Sequence, residues 1–211
     1  MIDAGTGNHL WSERYDREFQ DIFAVQDDVT RSIVGALTVG LEDEALERAK
    51  LKRPESLQAY EHWLRGKRSI WIAGSTNLES RAHFERAIAM DPGYSAAYSG
   101  LAITYLLESV EFPLPAEFRS LCDKAFESAQ RALSLDGADY EAHVAIAWPY
   151  LYRKEYDQAK KHLGRAIKLN PNNADTLANA TLIFAFLGEP EEGIKCGESA
   201  LQLNPRPPTG I

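Results

Sequence analysis

Four stretches of this chain end alike, and their spacing constrains the fold more than any other feature. They read Ala87-Ile88-Ala89-Met90-Asp91-Pro92, Ala132-Leu133-Ser134-Leu135-Asp136-Gly137, Ala166-Ile167-Lys168-Leu169-Asn170-Pro171 and Ala200-Leu201-Gln202-Leu203-Asn204-Pro205. The leading alanines stand 45, 34 and 34 residues apart. A fixed period of this size is the mark of a solenoid, in which each unit buries its apolar face only by stacking on the next. The 45-residue interval is one period of 34 plus 11, which places an insertion in the second copy.

Each ending has a physical sense. The alanine is small enough for two helices to approach closely there, and the apolar residues after it fall on the buried side. Asp or Asn followed by Pro stops the helix, because proline removes a donor and restricts the residue before it. Gly137 can stop it through a left-handed cap instead. Seven positions before each alanine stand Ser80, Ala125, Ala159 and Gly193, and between them Phe84, Ala129, Leu163 and Gly197. These residues mark the second helix of each unit. The first helix has its own pattern. Tyr98-Leu101-Ala102-Tyr105 recurs as His143-Ile146-Ala147-Tyr150 and as Leu177-Ala180-Thr181-Phe184. That spacing puts all four residues on one helical face, with a small one at the close approach.

These residues resemble the tetratricopeptide repeat family over about residues 56 to 207. The resemblance implies an all-α fold, an α-solenoid of about four helix pairs, with units at 56–94, 95–139, 140–173 and 174–207. The third unit matches best. The first keeps its second helix but has a looser first one, around Trp63, Leu64, Gly66 and Trp71. The fourth is weaker, since Gly193 and Gly197 stand inside a helix, where each glycine costs about 1 kcal/mol. The insertion falls near Glu108 to Phe118, and Pro113 and Pro115 in it are expected to break the helix, leaving a longer loop or a contact element. Pro149, inside the first helix of the third unit, is expected to kink it.

Residues 1–24 do not follow the repeat. Ile2 to Trp11 reads as a turn flanked by strand residues, and a lone strand cannot satisfy its own edges. Asp3 to Arg17, with Asp21-Ile22-Phe23-Ala24-Val25-Gln26-Asp27, is similar to the end of the TolB-like module that precedes tetratricopeptide repeats in many bacterial proteins. That resemblance implies a fragment of a multidomain signalling protein with a class III adenylate/guanylate cyclase or a winged-helix domain upstream. It brings no catalytic residue into this chain. A connecting amphipathic helix is expected over residues 25–53, with Val25, Val29, Ile33, Leu37, Leu41 and Ala45 as its apolar stripe and Pro54 at its boundary.

The residue inventory argues against chemistry. With net charge −8 and no basic stripe, the chain is poorly suited to nucleic acid. No apolar run reaches membrane-spanning length. Met1-Ile2-Asp3-Ala4-Gly5 has neither the basic nor the apolar region of a signal peptide, and the expected compartment is the cytoplasm, with a parent protein that could be membrane-attached. Cys122 and Cys196 lie 74 residues apart and form no metal-ligand or redox pair. The five histidines, His9, His62, His83, His143 and His162, stand in no ligand motif. His143 falls on a packing place, and the run Lys160-Lys161-His162 reads as a solvated face. No nucleophile, phosphate-loop or kinase signature is present. The expectation is therefore a noncatalytic chain with no cofactor and no metal.

By the family resemblance, the first helices line a concave groove. Its candidate partner-binding residues are Ile103 and Leu107 in the second unit, Trp148 and Tyr152 in the third, and Leu182 and Phe186 in the fourth. The lysines and asparagines that grip a peptide's terminal carboxylate in some relatives are missing. The apolar lining instead suits a protein or peptide partner presenting an apolar helix or extended segment. The same surface could be filled within the chain, by the 25–53 helix or the insertion. The C-terminus ends without a polar capping helix, so a homodimer through the groove or that open end is a further expectation. Control of a cyclase by docking in cis is the alternative to a general scaffold.

Overall fold

The computed structural model describes residues 57–70, 77–109 and 115–205, all within the compact unit Lys52–Ile211. The expected N-terminal β segment and the 25–53 helix lie outside the described residues. Eight described helices alternate as first and second members of four pairs. They are α1 (Leu57–Ile70), α2 (Asn77–Met90), α3 (Ser95–Ser109), α4 (Pro115–Leu135), α5 (Tyr140–Tyr152), α6 (Tyr156–Leu169), α7 (Ala174–Phe186) and α8 (Pro190–Leu203). Each first helix packs on its own second helix, and the second helix packs on the next first helix. The first helices α1, α3, α5 and α7 also touch one another in succession. They form the inner layer.

The helix ends follow the sequence signals. Asp139 caps α5 by accepting a hydrogen bond from the Ala142 amide at 3.0 Å, and Asn173 caps α7 through the Thr176 amide at 2.7 Å. Asp91 and Asp136 hold the turns after α2 and α4 by accepting from the Gly93 and Ala138 amides. Asp139 is buried, and its second oxygen accepts from the Ser95 hydroxyl at 2.7 Å, which ties the start of α5 to the start of α3. Burial raises the Asp139 pKa, and these hydrogen bonds act against the shift.

Between paired helices the packing trades volume for volume. Phe84 is fully buried, and an added Cβ on Gly66 or Gly100 would come within 2.8 Å or 2.5 Å of its ring. The phenyl ring therefore occupies space that two glycines, one on α1 and one on α3, leave empty. The equivalent place holds Ala129, Leu163 or Gly197 in the other units. The fourth unit reverses the arrangement. Thr181 stands where Ala102 and Ala147 permit close approach, and Gly193 and Gly197 opposite it make the room. A Cβ on Gly193 would lie 2.9 Å from the Thr181 carbonyl oxygen, and one on Gly197 would lie 3.2 Å from the Thr181 hydroxyl. The two glycines that weaken the sequence match are thus fitted to the threonine.

One proline expectation is revised. Pro115 does not break a helix but opens one, as suits a first-turn residue lacking a donor. Part of the insertion becomes helix: α4 has 21 residues where α2, α6 and α8 have 14. Pro149 sits in the last turn of α5, is fully buried, and leaves the helix continuous to Tyr152.

The Phe84 cage predicts a specific pattern of stability. Gly100→Ala should cost about 1–3 kcal/mol by overpacking. In a Phe84→Leu background the same step should cost less than about 1 kcal/mol, because the smaller side chain relieves the clash. Urea unfolding of the four proteins measures both steps, and equal costs in the two backgrounds would refute the cage.

Candidate protein-interaction groove

All six expected groove residues are at least partly open, and three form a continuous aromatic row. The Trp148 ring lies 5.9 Å from that of Tyr152 and 6.3 Å from that of Phe186, the latter pair edge to face. Phe186 is 67% exposed and Leu182 48%, so α7 presents bare apolar surface beside the row. Leu107 is 38% exposed and Tyr152 36%. Ile103 differs. It packs against the core of Ala102, Ala129, Ala145 and Ile146 and serves mainly as a wall.

Trp148 is held rather than free. Its indole N–H donates to the Asn179 side-chain oxygen at 2.9 Å, and its ring packs on the core that includes Ala147, Leu163, Ala180 and Ile183. The bond joins α5 to α7 and sets the angle at which the indole meets Phe186. Asn179 in turn donates to the Asp175 carbonyl at 2.9 Å, which fixes its amide.

Two further features were not visible in the sequence pattern. The first is Phe118, in the turns added to α4, whose ring meets that of Tyr152 edge to face at 4.9 Å. The insertion thus extends the aromatic row and covers part of Tyr152. The second is an ion pair that bridges non-adjacent units. Lys67 on α1 lies 2.7 Å from Glu141 on α5, passing over α3, whose small Ala96 stands at the corresponding place. Asp175 on α7 also feels the Lys67 charge. That charge lowers its carboxyl pKa against the larger upward effect of burial. Among the described residues the inner layer thus carries a charged bridge from the last turn of α1 to the first turn of α5, and exposed apolar side chains at the C-terminal ends of α5 and α7. No signal in the repeat pattern points to Lys67, because its partner is 74 residues away.

The four described histidines form pairs, not ligand sets. His62 and His83 meet Nδ1 to Nδ1 at 3.1 Å, and His143 and His162 do so at 2.9 Å. Each pair joins the two helices of one unit, which agrees with His143 as a packing residue. Among the described residues no group of three or more His, Cys, Asp or Glu is arranged to hold a metal. No described helix is long and apolar enough to cross a membrane.

Residues 140–173 match the tetratricopeptide repeat family model. The fold is that of a tetratricopeptide array. A thermophilic TPR protein of Thermus thermophilus superposes with a TM-score of 0.59 at 16% identity, over 88% of this chain and 90% of that one. MamA is more distant, with a TM-score of 0.47 at 14% identity over 92% of this chain and 98% of its own. In sequence, the chain is 36% identical over 161 residues to a Rhizobium meliloti (strain 1021) protein provisionally named adenylate cyclase 3. The match takes in 76% of this chain but 27% of that relative. The chain thus corresponds to about a quarter of the longer protein.

The Trp148–Asn179 bond should act as a coupled pair. Trp148→Phe and Asn179→Ala should each cost about 1–2 kcal/mol, the usual penalty for orphaning a partly buried polar group or losing its bond. The double variant should cost less than the sum by about 1 kcal/mol in urea unfolding. Strict additivity would mean that the indole does not depend on Asn179.

Proposed function

We propose that this chain is a noncatalytic protein-interaction module whose open groove takes an apolar helix or extended segment. The observation that carries the reading is the aromatic row of Tyr152, Trp148 and Phe186, flanked by Leu182, on a surface that the described part of the chain leaves uncovered. Bulky aromatic side chains held by hydrogen bonds and packing lose little entropy on binding, and anchors of this kind dominate protein interfaces. A tetratricopeptide array is by fold a scaffold of this type, and Leu107 and Ile103 extend the apolar wall toward the second unit.

The relative named as an adenylate cyclase favours a more specific reading. In it, the array is the regulatory region of a multidomain bacterial signalling protein and docks in cis on a class III cyclase domain. The resemblance of residues 3–27 to the TolB-like module supports the same family of architectures, in which a winged-helix regulator is the other member. In the cyclase reading the groove is a contact surface and supplies no catalytic group. A cytoplasmic setting and pairing of two copies through the groove or the exposed face of α8 belong to this proposal. Ile194, Leu201 and Leu203 leave that helix with bare apolar surface.

Light scattering on the chain and on a Leu182→Glu, Phe186→Glu variant tests the groove. Both side chains are exposed, so the substitutions should leave the fold intact by circular dichroism. A dimeric parent and a monomeric variant would identify the groove as a protein-binding surface filled by a second copy. If both proteins are monomers, the second copy is rejected as occupant. The reading then rests on whether a cyclase domain of the relative, added as a separate chain, binds the parent and not the variant. Equal binding to both sinks it.

A further inference from the structure

The second helix of the third unit carries a feature that the groove does not use. Lys161, Arg165 and Lys168 are exposed and spaced four and three residues apart, so they share one face of α6. With His162 and Gly137 they border an open cleft of about 680 Å³. Like charges at this spacing repel and weaken a helix. In a chain of net charge −8, no carboxylate among the described residues pairs with any of the three. The neighbouring Lys160 does have a partner, Glu189 at 2.6 Å. Asp157 is the acidic residue on the rim. Repeat packing does not require the two lysine charges, although the place of Arg165 also holds Arg86 and Arg131 in two other units. The place of Lys168 holds Ala89, Ser134 and Gln202 in the other units, and that of Lys161 holds Ala82, Glu127 and Lys195.

Hydrogen bonding sets the state of the imidazole at the cleft. The Gly137 carbonyl can only accept, so the His143 Nε2 that meets it at 3.2 Å carries a proton. With His143 neutral, its Nδ1 is a lone pair, and the His162 Nδ1 is the donor across 2.9 Å. The Nε2 of neutral His162 is then an unprotonated nitrogen with no partner among the described residues. One proton added there turns it into a donor without breaking the bond to His143.

We propose that this cleft binds a phosphate-type oxyanion, held by Lys161, Arg165 and Lys168 and by His162 in its protonated form. Such a ligand relieves the repulsion among the cations, and its oxygens fit lysine, guanidinium and imidazolium donors. The site lies on the outer helix α6 and is independent of the groove. Without the anion, burial, His143 and Lys161 hold the His162 pKa down to about 4. The other groups near the pair are Tyr150, stacked on His162 at 5.4 Å, Arg165 of the same helix, and Asp136 and Asp139, which act on His143. A bound anion favours the charged imidazole, so it raises that pKa, and an anion whose own charge is fixed over this range binds more tightly as pH falls from 7 toward 5.

The test is calorimetric titration of the whole chain with inorganic sulfate, an oxyanion of phosphate shape whose charge does not change between pH 7 and pH 5, at both pH values and fixed ionic strength, with the histidine resonances followed by NMR. Saturable binding is expected, roughly threefold or more tighter at pH 5, with His162 titrating at higher pH when sulfate is present. Lys161→Gln, Lys168→Gln changes only exposed side chains and should weaken binding about tenfold. His162→Gln should keep binding at pH 7 but lose the pH dependence. A phosphoserine peptide titrated alongside distinguishes the sources: whichever binds more tightly is the better model of the ligand. Absence of saturable binding at both pH values, or equal affinity in the lysine variant, overturns the proposal.

Discussion

The distance between the paired helices is the constraint on which the rest depends. A solenoid unit has no core of its own beyond the layer between its two helices, so that layer must close in every copy. The chain closes it by different residues summing to similar volume. In the first unit a fully buried Phe84 fills the space that Gly66 and Gly100 leave. In the third, Leu163 packs with Ala147 and Ala180. In the fourth, Thr181 faces two glycines. Interiors are packed to crystal-like density, so volume is conserved across a layer even where residue identity is not. That is why one unit can look like a poor match in sequence and still stack.

This accounts for what the sequence made legible. The 34-residue period, the small residues and the Asp-Pro or Asn-Pro endings follow from backbone rules that act within one unit, and they located the second helices correctly. Gly193 and Gly197 looked like a defect because a repeat pattern scores each position alone, whereas Thr181 lies 12 and 16 residues before them. Pro115 looked like a breaker because proline's effect depends on whether it falls inside a helix or at its start. Lys67 and Glu141 were invisible because they meet across stacked units, 74 residues apart in sequence. The aromatic row could be named residue by residue from the family's groove places. Its extension through Phe118 could not, since that required knowing that the insertion is helical.

Charge and apolar surface divide the inner layer between them. At one end the Lys67–Glu141 pair, with 26% and 20% of its side chains exposed, joins the first and third units. A partly shielded pair is worth more than a fully exposed one but is still modest. Its larger consequence is geometric, because it holds α1 and α5 within reach across α3. Toward the C-terminal ends of α5 and α7 the Trp148 indole is tied to Asn179, while Phe186 stands exposed.

The same separation of roles extends to the outer layer. Trp148 is fixed by packing and by a hydrogen bond between groups that do not titrate, whereas the unpaired nitrogen of His162 sits among cations, and under the proposal its protonation depends on what is bound. A ligand at α6 would act on the pair His143–His162, and His143 lies one residue from Val144 and five from Trp148 on the same helix. α5 therefore carries the groove anchor and the histidine bond on different faces of one rigid element. Any coupling between an anion at the cleft and a peptide in the groove must pass through the seating of that helix, which the Ser95 bond to Asp139, the Lys67 pair with Glu141 and the Asn179 bond to its indole tie to its neighbours.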